Sequence, residues 1–239
     1  MEWPTRMEGG SALPTVPGKM QLARIAEIPV GAAQLHGDLS IPDSPCGLVV
    51  FAHGSGATRE SPGNQRVAGM LNERGFATLL FDLLTAVEEQ DRANVFHIGH
   101  LGRRLVQATR WARSDPDVGA LPLGYFGAST GSAAAFIAAA ELKDEVSAIV
   151  SRGGRPDLAI HRLRLVTAPT LLIVGSLDVA VLQLNYEASG RLGGPNELVT
   201  VPGATQLFEE PGALERVVDL TGDWFARHLA GAGGQIPAR

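Results

Sequence analysis

Short, unbroken apolar runs, each separated from the next by a segment of helix length, constrain this chain more than any other feature. They read Leu48-Val-Val-Phe-Ala52, Ala77-Thr-Leu-Leu-Phe81, Leu123-Gly-Tyr-Phe126, Val146-Ser-Ala-Ile-Val150 and Thr170-Leu-Leu-Ile-Val174. Runs without polar alternation are strands buried on both faces, the condition of a parallel sheet covered by helices on either side. The segments Asn64 to Arg74, His97 to Arg113, Ser129 to Leu142 and Val181 to Leu192 supply those helices, with Glu197 to Val201 as a last strand and Pro211 to His228 as a closing helix. Ahead of them, Gln21 to Pro29 and Ala32 to Ile41 alternate polar and apolar residues, as antiparallel strands with one wet face do. This order predicts an α/β fold with a mostly parallel central sheet of about eight strands, the first ones antiparallel, and helices on both faces.

The 239 residues suit one domain of this class, here drawn over residues 19–230. Residues 1–18 and 231–239 are Gly- and Pro-rich or aperiodic and read as flexible tails. Apolar residues make up 45% and charged residues 19%, enough to build a core. A formal charge of −5 argues against nucleic acid or an anionic membrane as partner, leaving a small molecule as the expected ligand and a monomer or homodimer as the expected state. Cys46 is the one cysteine, so no internal disulfide forms. The N-terminus shows no secretory signal, and the longest apolar stretch, Ala133 to Ala140, is too short to span a bilayer. A cytoplasmic location follows by default.

Gly127-Ala-Ser129-Thr-Gly131 is a G-x-S-x-G turn between a predicted strand and a predicted helix. That context lifts a serine hydroxyl to the top of a sheet, and the flanking glycines allow strand and helix to approach around a strained turn. His53-Gly-Ser-Gly56 follows another strand end, where the N–H of Ser55, with that of Thr130, is placed to receive a developing oxyanion. His53 reads as a hydrogen-bonder within its turn, with the role of relocated base or substrate contact as its alternative. Asp178 closes a third strand, and the order Ser129, Asp178, position 206 is that of nucleophile, acid and base. Position 206 is glutamine. Its amide donates and accepts hydrogen bonds but does not titrate near neutral pH, so it can bond to Asp178 without acting as a base.

Phe51-Ala-His-Gly-Ser-Gly56, Leu79-Leu-Phe-Asp-Leu-Leu-Thr85, Gly124-Tyr-Phe-Gly-Ala-Ser-Thr-Gly131, Val150-Ser-Arg-Gly-Gly-Arg-Pro-Asp157 and Val201-Pro-Gly-Ala-Thr-Gln-Leu-Phe-Glu-Glu-Pro211 together resemble α/β-hydrolases of the dienelactone-hydrolase-like group. The resemblance runs from Leu48 to His228. It implies the α/β-hydrolase fold, Ser129 as nucleophile and Asp178 as acid, and it places the group's histidine on Gln206.

Other side chains are candidates for a relocated base or for substrate contact. His97 and His100, three apart on one predicted helix face, lead; His36, His161 and His228 have weaker claims. In Ser-Arg-Gly-Gly-Arg-Pro-Asp157 a guanidinium can clamp a substrate carboxylate or equally tie the loop to Asp157 or Asp178; Arg155 reads as structural, and Arg152 stays open between the two. No metal site is expected, for want of a third ligand, and no cofactor. The sequence therefore supports an enzyme acting on an ester, lactone or thioester through Ser129. Its competitors are a non-hydrolytic lyase, cyclase or isomerase that polarises a carbonyl on the same scaffold, and a binding pseudoenzyme.

Overall fold

The computed structural model describes residues 20–229, so the tails drawn at 1–18 and 231–239 lie outside the described residues. β1 (Met20–Val30) and β2 (Ala33–Pro42) form the antiparallel pair expected from their alternation, joined by a tight turn. That turn needs a positive φ, supplied at 72° by Gly31. β3 (Gly47–Ala52), β4 (Phe76–Phe81), β5 (Leu123–Ala128), β6 (Ala148–Arg152), β7 (Thr170–Gly175) and β8 (Asn196–Val201) are mutually parallel, and β2 meets β4 antiparallel. The sheet has eight strands in the order β1-β2-β4-β3-β5-β6-β7-β8. Every residue of β3, β4, β5 and β7 is buried, which is why those strands carry unbroken apolar runs.

Among the described residues the α-helices are α1 (Pro62–Glu73), α2 (Ala86–Glu89), α3 (Arg92–Val95), α4 (Ile98–Ser114), α5 (Thr130–Leu142), α6 (Val179–Ser189) and α7 (Ala213–Leu229). Val67 and Leu71 of α1 join Val217 and Phe225 of α7 in a core against Phe76 and Phe126. On the opposite face, Leu105 of α4 and Ala134 of α5 pack with Leu79 and Tyr125. Each such side chain of Leu or Phe size contributes about 1.5–3 kcal/mol by leaving water. α5 lies between the sheet and α4, so it is apolar all round and rich in alanine. A Cβ on Gly102 of α4 would stand 2.6 Å from Ile137 Cγ2, which shows how closely the two helices approach.

The stretch Asp82 to Asp91 contains α2 and leads into α3, neither of which stands among the helices read from the sequence. The signal was local. Thr85 and Glu88 form a reciprocal capping box, with the Thr85 N–H donating to Glu88 Oε2 (2.9 Å), and Asp91 Oδ1 accepts the Ala93 N–H (2.9 Å). No helix of the described residues is long and apolar enough to cross a membrane.

Candidate active site

Ser129 sits at the C-terminal end of β5 and caps α5 with φ 50° and ψ −122°. That conformation costs a non-glycine residue about 1–3 kcal/mol and persists only where the surroundings hold it. Here they do. The Ser129 N–H donates to the Arg152 carbonyl (3.2 Å), while the Ser129 carbonyl accepts from the Ser132 and Arg155 amides (3.1 and 3.0 Å). A Cβ on Gly127 would fall 2.6 Å from Ser132 Cα, and one on Gly131 would collide with the Ala52 carbonyl. Both glycines of the turn are thus required by contact with backbone. Gly54 lies directly over the serine, since a Cβ there would be 2.9 Å from Ser129 Cβ.

The two expected oxyanion donors meet each other. The Ser55 N–H donates to Thr130 Oγ1 (2.9 Å), and the Thr130 N–H, in the first turn of α5, has no acceptor among the described residues. Having accepted one bond, the Thr130 hydroxyl still has a proton to give. His53 has both ring nitrogens engaged: Leu83 N–H donates to Nε2 (3.2 Å), which places the proton on Nδ1, 3.1 Å from the Gly54 carbonyl. Burial pushes its pKa below the ordinary imidazole value, so it is neutral at pH 7. Arg59 fastens the same turn to Asp82, its N–H donating to Oδ1 (2.9 Å) and its Nη1 to Oδ2 (2.6 Å).

Asp178 caps α6, with Oδ1 accepting the Val181 N–H at 3.4 Å. Oδ2 is buried without a hydrogen-bond partner among the described residues. The expected bond between Asp178 and the Gln206 amide is therefore not formed. The two loops are nevertheless stitched together: Leu177 N–H donates to the Ala204 carbonyl (3.0 Å), and Gly203 N–H to Ser176 Oγ (2.8 Å). Gln206 itself is exposed, and its carbonyl and Cγ rest against Gly153, where a Cβ would lie 3.1 and 3.5 Å from them. Gly153 follows Arg152, whose carbonyl holds Ser129, so position 206 faces the serine's own support.

His97 and His100 flank the start of α4. His97 Nδ1 accepts the His100 N–H (3.1 Å), and His100 Nε2 lies 3.5 Å from Glu88 Oε1. Burial, then the nearby Arg104 charge, lowers the His100 pKa. Neither imidazole lines the small cleft of about 20 Å³ walled by His53, Gly54, Ser55, Leu83, Glu89 and Leu101. Glu89 is the carboxylate that reasoning from sequence missed. The T-x-x-E capping pattern would have placed it on a short helix, but not against the oxyanion turn.

Arg155 forms a two-pronged ion pair with Asp157, Nε to Oδ1 at 2.9 Å and Nη2 to Oδ2 at 2.8 Å. Arg152 behaves differently. It projects into a second cleft of about 560 Å³ between the start of α1 and the loop after position 206, its Cζ 5.7 Å from the Phe208 ring centroid. Among the described residues, no group of three or more His, Cys, Asp or Glu side chains is placed to hold a metal ion.

No family model matches the chain. It is 50% identical to a dienelactone hydrolase from Anabaena variabilis of known structure, with a TM-score of 0.84 over 87% of this chain and 98% of that one. It resembles Est1E from Butyrivibrio proteoclasticus in fold, at 19% identity and a TM-score of 0.73 over 85% of this chain and 98% of that one. Over 207 residues, 87% of its length, it is also 55% identical to a Mycobacterium tuberculosis protein named "Putative phosphoribosyl transferase", of which the match covers 47%. The chain thus spans about half the length of the curated relatives it matches. Strand order, serine turn and near-complete coverage at 50% identity agree: the chain belongs to the dienelactone-hydrolase-like α/β-hydrolases.

Proposed function

We propose that this protein is an α/β-hydrolase-fold enzyme acting on a small ester, lactone or thioester, with Ser129 as the attacking group and a triad that lacks its histidine. One observation carries the reading: Ser129 is held at φ 50° on the strand-to-helix turn, a strained conformation maintained by backbone hydrogen bonds to Arg152, Ser132 and Arg155. In this scheme Ser129 Oγ adds to the carbonyl carbon, and negative charge on the carbonyl oxygen is met by the Thr130 N–H and the Thr130 hydroxyl, whose oxygen takes the Ser55 amide. The serine proton has no imidazole to receive it at position 206. Glu89, in the cleft with Gly54 and Ser55, joins His97 and His100 as a candidate acceptor. Without a base, the oxyanion donors and binding alone leave roughly 10³–10⁴-fold catalysis over water. The reading requires no cofactor.

The exposed Gln206 and the unpartnered Asp178 Oδ2 favour a second reading, in which the pocket polarises a carbonyl without forming an acyl-enzyme. The transferase named for the mycobacterial proteins we assign to the half of their length that this chain does not match. Intact mass after treatment with a serine-reactive fluorophosphonate separates the readings. Labelling of the unaltered protein at Ser129 supports the hydrolase with a relocated base. Labelling of the Gln206→His variant alone overturns it in favour of the second reading.

A further inference from the structure

Arg152 is a cation without a counterion. Its guanidinium makes no ion pair and no hydrogen bond to any described residue, and its Nε is buried. Two other arginines largely withdrawn from solvent each have an acceptor: Arg104 meets Glu88 Oε1 at 2.5 Å and Arg59 meets Asp82 at 2.6 Å. Withdrawing such a charge from water unpaired is unfavourable, and burial lowers the pKa of this guanidinium. The ring of Phe208 beside it is a weak substitute for an anion. Phe208 is itself held at φ 58°, a conformation that bulky residues avoid, so strain is spent on keeping the ring there.

Donors other than the guanidinium border the cleft. Strand alternation puts Arg152 on the same face as Val150, toward α1 and α7, and a Cβ on Gly63 in the first turn of α1 would lie 4.0 Å from Arg152 Nη1. That turn carries no acidic residue and no side-chain cap, and the Gly63 and Asn64 amides have no acceptor among the described residues. The carboxylates that line the cleft do not serve Arg152: Glu215 pairs with Arg66, and Glu210 Oε1 takes the Thr205 N–H (3.0 Å) and hydroxyl (2.6 Å). Glu209 is exposed. Arg152 is also paired in register with Ala128, the residue before Ser129.

We propose that this cleft takes the acidic group of the substrate, a carboxylate or phosphate held by Arg152 and the first turn of α1, while the carbonyl of the same molecule lies at Ser129. The assignment of the carbonyl rests on the function proposed above; the anion site does not.

Isothermal titration calorimetry tests it with monomethyl glutarate, neutral dimethyl glutarate and glycerol 3-phosphate. The unaltered protein and Ser129→Ala are expected to bind at least one of the two anions and to bind the neutral diester much more weakly. The tighter anion names the class. Arg152→Gln is expected to weaken anion binding roughly tenfold or more, with partial recovery in Arg152→Lys. Arg152→Met is expected to keep or raise the Tm, since it removes an unpaired cation, whereas a merely structural arginine would lower it. Equal anion binding by Arg152→Gln, equal affinity for the neutral diester, or no anion bound by the unaltered protein would overturn the proposal. Arg152-dependent anion binding in a protein whose Ser129 resists the fluorophosphonate would leave the anion site standing and remove only the hydrolase reading.

Discussion

The Ser55 amide donates to the Thr130 hydroxyl across 2.9 Å, so the turn after β3 and the first residue of α5 are joined by a direct hydrogen bond. The bond fixes the spacing of the two groups expected to face an oxyanion. It also occupies the Ser55 N–H and leaves the threonine hydroxyl proton as a donor beside the Thr130 N–H.

Thr130→Val keeps the shape and removes the acceptor. Stability is expected to fall by about 1 kcal/mol, read as a lower urea midpoint, because the Ser55 N–H loses its partner. In a Gln206→His background, fluorophosphonate labelling should slow by about 10²-fold, while Thr130→Ser should label normally.

The Gln206→His protein should also acquire the pH dependence of its new imidazole. An imidazole must be neutral to take the Ser129 proton, so its labelling rate is expected to rise with pH through about 6.5. A flat profile would show that the new imidazole does not reach the serine.

His53 sets a second pH effect, on stability. Burial lowers its pKa in the folded state, so the unfolded chain binds the proton more tightly. The folded protein is therefore at full stability above the ordinary histidine pKa of about 6.5 and loses stability as pH falls below it. Urea midpoints between about pH 8 and 5 should show that decline, and His53→Gln should make it shallower. A residual slope is expected from His100 and His228, whose pKa values burial also lowers.

Two glycines should respond very differently to alanine. Gly131→Ala drives a Cβ into the Ala52 carbonyl, and both partners are backbone, so loss of folded protein is expected, by roughly 3 kcal/mol or more. Gly203→Ala meets nothing within 4 Å and is strained only by its φ of 72°, so a cost of about 1 kcal/mol is expected. Circular dichroism and urea melts of the two variants make the comparison.

The features legible in the sequence are those decided by near neighbours in the chain. Leu48 to Ala52 and Thr170 to Val174 announce strands buried on both faces, and Gly127 and Gly131 announce a tight turn, because periodicity and backbone sterics act over a few residues. The short helices at Ala86–Glu89 and Arg92–Val95 were missed, although Thr85 and Glu88 spelled a capping box, because such brief helices have no apolar stripe. Arg152 and Arg155 look alike in sequence, three apart in one short stretch. What separates them is the partner: Asp157 lies two residues from Arg155, while Arg152 faces groups from α1 and from the loop after β8. Contacts between distant segments leave no local pattern. The same holds for Glu89 against the Ser55 turn and for the unfilled Asp178 Oδ2.

Gln206 is held through its main chain and Cγ against Gly153, not through its amide. Glutamine and histidine share everything up to Cγ and differ by one nucleotide in their codons. A lineage carrying this scaffold can therefore gain or lose an imidazole at position 206 in a single mutational step, with the contact to Gly153 kept.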